Sequence, residues 1–328
     1  METVGDCVVF EVDGKAFEAH VTENQLRLEH SVYRAAFPRD PTLNRLLKSQ
    51  LKLEGVTAGG IKYSRRGCRA SGDFNTGLGN TVVMGCCCLA AFALLEGDLG
   101  PFRWTALADG DNCLVFVERR VASLVHQRFG GAVALVSAQE LAVEKPVAVL
   151  EKITFGQSRP CYNGVEYTMV RPPFKVLSQA FSGYRHYNHY KFGLRLAASV
   201  ARAELHLARG VPVLEAYFAA ALERLGGVRP LPNPEDYLEG HLLDALRAGA
   251  LEFDSTPRGV SEEARRSFAL AWGLGVEEQL SLERQVVDSL EGFPNPGYLD
   301  VIVEMADRAG PEIDHVAQRV DLGLSRSV

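Results

Sequence analysis

Residues 67–81 read "GCRASGDFNTGLGNT", a run of glycine and small polar residues that leads straight into "VVMGCCCLAAFALL" at 82–95. A basic stretch, "KYSRRGCRA" at 62–70, comes just before it. Glycine opens backbone conformations closed to other residues, and short hydroxyl and amide side chains turn and cap the chain. A loop of this kind, opening a buried helix over about 78–95, is suited to holding a ligand. What it holds depends on which polar groups the fold brings beside it.

To its N-terminal side, "CVVFEV" at 7–12 reads as a buried strand that ends at Asp13. Residues 23–37 place Leu26, Val32, Tyr33, Ala36 and Phe37 on an amphipathic helix closed by Pro38, and 42–53 reads as a second short helix. Residues 54–71 read as a hairpin leading into the loop, with Arg65 and Arg66 either at a solvated tip or facing a ligand. To the C-terminal side, "WTALADGDNCLVFVE" at 104–118 reads as strand, tight turn and strand. Residues 119–129 read as helix, and 132–136, 147–155 and 165–170 as strands. From about 175 the pattern is almost purely helical, with breaks at Gly210, 230–234, Gly259 and 294–297. An α/β half is followed by an α half, with neither repeats nor low-complexity linkers.

The 328 residues suffice for two domains or one large one, and the 47% apolar and 23% charged content is that of a soluble globular chain. Seven cysteines, three of them consecutive at 86–88, fit neither a disulfide framework nor a zinc site and read as reduced, mostly buried thiols. The N-terminus lacks a signal-peptide pattern. The apolar run 82–95 is shorter than the roughly 20 residues a helix needs to cross a bilayer, so no membrane span is expected. The net charge of −6 divides unevenly: residues 1–210 carry +5, residues 211–328 carry −11, and 171–210 alone carry +6. The first two thirds could therefore face a polyanion, although such blocks also arise as plain solvated faces.

Asp13 lies at a strand end, Asp111 in a turn between strands, and the 71–81 loop at a helix start. Each Asp alone reads as a turn residue. If the strands are neighbours, the two carboxylates converge, repel each other, and call for a cation. Mg2+, which favours hard oxygen ligands and retains substrate phosphates, meets that need. A pair of such ions is a known device for phosphoryl transfer.

Taken together, the chain resembles the viral RNA-dependent RNA polymerases, most closely the tombusvirus-like group. Five motifs stand in order. Motif A is "VDGKAFEAHVTENQLRLEHSVY" with Asp13 and Glu18. Motif B is the 67–81 stretch with Ser71, Gly72, Thr76, Asn80 and Thr81. Motif C is "ADGDNCLVFVE" with Gly110, Asp111 and Asn112. Motif D spans about 119–148, and motif E is "LEKITFGQSRPCYNGVEYTMVRPPFKVLS". The resemblance covers about residues 5–190. It implies an α+β right-hand polymerase: a palm of antiparallel sheet with flanking helices and part of the fingers over 1–172, then a mostly helical thumb over 173–328, with the fingers largely absent. It implies RNA-dependent RNA polymerase activity in viral replication, with RNA template and product and nucleoside triphosphates as partners and the host cytoplasm as the place. By resemblance Asp13 and Asp111 hold Mg2+ or Mn2+, and Asn112 completes the catalytic triplet. Glu18 and Asn80 meet the nucleotide's ribose. Ser71, Gly72 and Thr76 line the template and nascent pair. Arg69, Arg159, Arg171 and Lys175 contact RNA, and the +6 block faces the duplex.

The sequence departs from the family in three respects, at Asn112, at Glu18 and in the fingers. Asn112 stands where most relatives have Asp, a triplet that the fungal umbravirus-like branch shares, and it shifts the expected metal toward Mn2+. Glu18 replaces the usual Asp. Lys145 is the one lysine near the place of the motif-D general acid. The fingers, which in the family precede motif A, are missing, so the chain is expected to be a fragment or to take its fingers from a second chain. Two readings stand beside the polymerase: a non-catalytic RNA-binding replication scaffold derived from one, and a reverse transcriptase, whose motif B lacks this spacing. Asn80 could also be a mere helix cap. A dinucleotide-binding reading of "GLGNT" fails for want of a third glycine and a directly preceding strand.

Overall fold

The computed structural model describes residues 4–182, 189–232 and 255–294. The stretches 183–188, 233–254 and 295–328, part of the expected thumb, lie outside the described residues. The chain falls into two compact units, Met1–Gly156 and Gln157–Val328. That division comes earlier than the boundary at 172 implied by motif order.

The first unit is built on a four-stranded antiparallel sheet in the order β4 (Trp104–Asp109), β5 (Asn112–Glu118), β1 (Cys7–Gly14), β6 (Leu141–Val143). Successive side chains of a strand point to opposite faces, and β1 is apolar on both. Phe10 and Val12 join Val115 and Val117 under α4 (Thr76–Leu99) and α5 (Ala122–Ser137), whose Met84, Cys88, Phe92, Val125 and Phe129 complete that core. Val9 and Leu114 face the other way, onto Ile153.

This double coverage explains two departures from the sequence reading. The apolar run 147–155 is only partly covered by the second face, with Ile153 buried and Val149 and Leu150 exposed, and it is not a strand. It contributes the bridge from Val9 to Val147, a 3-10 turn at Leu150–Lys152 and a further bridge residue at Phe155. Residues 132–136, expected as strand, continue α5 through Gly130 and Gly131. Glycine costs a helix about 1 kcal/mol, and burial of Phe129, Ala132 and Val133 on one face outweighs it. The short β6, absent from the sequence reading, then pairs with the end of β1.

Helix α4 runs 24 residues, longer than the apolar run suggested, and by length and composition it could cross a bilayer. Half of its apolar window is buried inside the unit. Helix α2 (Glu23–Ala36) starts in a capping box, with the Thr22 hydroxyl accepting from Gln25 N and Gln25 Oε1 accepting from Thr22 N. Pro41 opens α3 (Pro41–Gln50), and Asp40 caps it by accepting from Thr42 N and Leu43 N. The hairpin β2 (Lys52–Val56) and β3 (Lys62–Arg66) is largely exposed.

The second unit packs the hairpin β7 (Arg159–Tyr162) and β8 (Tyr167–Val170) with α6 (Pro173–Gln179), α7 (Tyr190–Ala208), α8 (Leu214–Arg224) and the helices Glu262–Trp272 and Val276–Asp288. Its core joins Cys161 and Val170 to Leu205, Phe218, Phe268 and Leu290. The buried Glu215 carboxylate is satisfied by backbone N–H groups of Gly210, Arg258 and Gly259 at 2.7, 2.7 and 2.9 Å. Such charge-assisted bonds offset the desolvation of a buried carboxylate.

The helical state of 130–137 is testable. Gly131 has open space where a Cβ would stand, so Gly131→Ala is expected to stabilise the chain by about 0.5–1 kcal/mol in urea unfolding. Gly130→Ala should gain less, since its Cβ would press on Val143.

Candidate functional site

Strands β1 and β5 pair from Cys7 opposite Glu118 to Asp13 opposite Asn112. The turn beyond Asn112 is the two-residue link Gly110–Asp111, with Gly110 at φ +61°, a left-handed conformation that glycine adopts without a Cβ clash. Gly14 N donates to the Asp111 carbonyl at 3.1 Å, which ties the end of β1 to this turn. Asp13 and Asp111 therefore reach the same end of the sheet. The Asp111 carboxyl is held above the ordinary carboxylate range, first by burial and then by the negative charges of Asp13 and Glu18. Asn112 Nδ2 donates to Asp111 Oδ1 at 3.4 Å.

Beyond β1 the chain reverses through Ala16, at φ +47°, into the single turn α1 (Phe17–His20), pinned by buried Phe17. Glu18 is thereby returned toward α4, where Asn80 Nδ2 donates to Glu18 Oε1 at 3.2 Å. Asn80 is buried inside α4, past its start at Thr76, so it is not a cap. Its Oδ1 accepts from Arg69 Nε at 3.2 Å. Arg69 in turn meets the Glu29 carboxylate through both terminal nitrogens, with both side chains fully buried. Glu29 Oε1 also accepts from Tyr33 Oη and Asn75 Nδ2, each at 2.8 Å. Burial pushes the Tyr33 phenol up to about 12.

The glycine-rich loop is tied at its base and open at its tip. Thr76 Oγ1 donates to the carbonyls of Ala70 and Asp73 at 3.0 and 2.8 Å. Gln50 of α3 donates to Asp73 Oδ2 and Asn75 Oδ1 at 3.1 and 2.6 Å. Ser71 and Gly72 are exposed, and Phe74 is wholly so. Thr81 Oγ1 accepts from Gly110 N at 2.8 Å and donates to Gly77 O at 2.8 Å, which fastens α4 to the Gly110–Asp111 turn.

The four basic residues expected on RNA behave differently. Arg69 is committed to buried partners, which corrects its reading as an RNA contact: no face of its guanidinium is open. Arg159 donates to the Ala271 carbonyl and lies 5.0 Å from the Trp272 ring centre. Arg171 donates to Glu204 Oε2 at 2.6 Å. Lys175 is exposed and donates to Gln157 Oε1 at 2.8 Å. Glu29 and the Thr81 link were missed as site residues. The signal for Glu29 was an acid at the buried face of an amphipathic helix.

Among the described residues no group of three or more His, Cys, Asp or Glu side chains could enclose a metal ion. Mg2+ is commonly bound by one or two carboxylates, with water and phosphate oxygens completing its shell. Asp13 and Asp111 match that donor set, and the repulsion acting on Asp111 is the strain a cation would relieve.

A family model for viral RNA-dependent RNA polymerases matches residues 2–290, and the chain belongs to that family. It is 34% identical to the RNA-directed RNA polymerase of Carnation mottle virus over 281 residues, 84% of this chain and 35% of that protein. Against the corresponding polymerases of Turnip crinkle virus and Tomato bushy stunt virus it is 32% identical in each case, over 85% and 84% of this chain and 35% and 32% of those proteins. The chain is thus tombusvirus-like and spans about a third of the length of these relatives.

A raised Asp111 means that the folded state binds this proton more tightly than the unfolded one, so stability falls as pH rises through the shifted titration. Asp111→Asn is expected to raise the melting temperature at neutral pH without divalent cations, with the gain shrinking as pH drops into the ordinary carboxylate range. Added Mg2+ or Mn2+ should stabilise the wild type more than this variant; scanning fluorimetry reads both.

Proposed function

We propose that this chain carries the palm and the helical thumb of an RNA-dependent RNA polymerase and performs template-directed nucleotidyl transfer in viral replication. One observation carries the proposal: the β1–β5 register, which brings Asp13 and Asp111 to one sheet end beside the Glu18–Asn80 pair. In the reaction the RNA 3′-oxygen attacks the α-phosphorus of a nucleoside triphosphate and pyrophosphate leaves. Two divalent ions, when bound, would neutralise charge on the attacking and leaving oxygens. Asp13 and Asp111 would hold them. Asn112, neutral where most relatives carry an acid, weakens the Mg2+ donor set and favours Mn2+.

The remaining residues position rather than react, as phosphoryl transfer requires. Glu18 accepts from, and Asn80 donates to, the ribose 2′-OH. With a 2′-deoxy nucleotide the two keep only their mutual bond at 3.2 Å, and the bonds that a ribose hydroxyl adds to each are lost, which favours the ribonucleotide. The open tip at Ser71 and Gly72 meets the template base, with Thr76 holding the loop's base. The β7–β8 hairpin and the helices of the second unit receive the product strand, with Lys175 as its exposed cation and Arg171 and Arg159 shaping the surface. Replication takes place in the host cytoplasm.

A second reading, a replication scaffold that binds RNA without catalysis, draws on the loss of an acid at Asn112. Extension of a short primed RNA by the full chain, with Mg2+ and separately with Mn2+, separates the two. The polymerase reading expects extension, stronger with Mn2+, that drops to background in Asp13→Ala and Asp111→Ala while both variants still bind the primed RNA. RNA binding without extension in the wild type, also after addition of a chain carrying the family's fingers, supports the scaffold.

A further inference from the structure

Arg69 and Glu29 form a fully buried ion pair in the first unit, away from solvent and from any surface that RNA could reach. A buried pair is a weak source of stability, because desolvation consumes much of the attraction. Its geometry shows another use. The Arg69 fork spends its terminal nitrogens on Glu29 and aims Nε at Asn80 Oδ1, 3.2 Å away. That bond fixes which end of the Asn80 amide faces which neighbour. With Oδ1 on Arg69, Nδ2 must face Glu18 Oε1, as it does at 3.2 Å. A flipped amide would set its NH2 against the guanidinium and its oxygen against the carboxylate, and both contacts would repel.

The surroundings keep the fork in place. Glu29 is held by Tyr33 Oη and Asn75 Nδ2, and Asn75 by Gln50. Gly79, one residue before Asn80, leaves the space the pair occupies: a Cβ there would collide with both Arg69 Nη2 and Glu29 Oε1.

We propose that the Arg69–Glu29 pair is a positioning device for sugar selection: it locks the Asn80 amide so that Asn80 offers a donor, and Glu18 an acceptor, to the 2′-hydroxyl of a ribonucleotide. This rests on the reading of Glu18 and Asn80 as the ribose contact. Lysine can keep the charge beside Glu29 but cannot also present the Nε donor in the same plane.

The test reads binding rather than turnover. ATP and 2′-deoxy-ATP compete for the full chain on a short primed RNA with Mn2+, and the ratio of their affinities is measured. Wild type is expected to prefer ATP. Arg69→Lys should cut that preference about tenfold, mainly by weakening ATP, with 2′-deoxy-ATP little changed. Asn80→Ala should abolish most of the preference, and adding Arg69→Lys to it should change nothing further, the non-additivity expected when one residue acts through another. Gly79→Ala leaves every charged group present and should lower the preference too; it reads the same quantity should Arg69→Lys fail to fold. An unchanged preference in Arg69→Lys or Gly79→Ala overturns the inference. So does an equal loss from Arg69→Lys with and without Asn80, or a wild type that shows no preference. A chain that prefers ATP in this pattern yet never extends RNA refutes the polymerase reading alone.

Discussion

Asp13 stands opposite Asn112 across the β1–β5 ladder, and every polar group at that end of the sheet takes its place from this pairing. A slip of one residue would exchange the faces of β1. Phe10 and Val12 would leave the helix-covered core, Val9 would enter it, and the Asp13 carboxylate would swing away from Asp111. Burial opposes that slip, because it would also turn Glu11 and Asp13 toward the helix-covered core. The Gly110–Asp111 turn sets β5 against β4, and the Gly14 bond to the Asp111 carbonyl ties β1 to that turn.

Around this pivot the unit is joined by short polar links rather than by further sheet. Thr81 couples α4 to the turn, Thr76 closes the loop that precedes α4, and Gln50 anchors the loop's flank to α3. The loop is thereby tied at both roots and exposed at Ser71 and Gly72.

Much of this was legible in the sequence for definite reasons. The strand ending at Asp13, the tight turn around Asp111 and the loop-to-helix junction each carry local signals: an apolar run, a glycine with two flanking polar residues, and closely spaced small residues. The resemblance set Glu18 and Asn80 on one ribose, and in the fold the two side chains bond to each other. Legibility ended where tertiary burial overrode local pattern. The apolar run 147–155 meets the sheet at Val147 and buries Ile153 but leaves Val149 and Leu150 exposed, and residues 132–136 are held helical by the face they share with Phe129. Arg69 is a related case: the resemblance set it on RNA, and nothing local announces a carboxylate forty positions upstream, on a helix that reads as ordinary amphipathic packing.

The cysteine triplet has a chemical corollary. Burial lifts the thiols of Cys86 and Cys87, and the mutual bond with Cys113, Sγ to Sγ 3.8 Å, together with burial lifts Cys88. Since the thiolate is the reactive species, alkylating agents and peroxides find the helix beneath the loop a poor target. Cys7, Cys113 and Cys161 are buried as well, which leaves Cys68 and Cys86 as the two half-buried cysteines. An electrophilic probe would thus find Cys68 before the buried cysteines and place a reporter group beside the Arg69–Glu29 pair while the core stays unmarked.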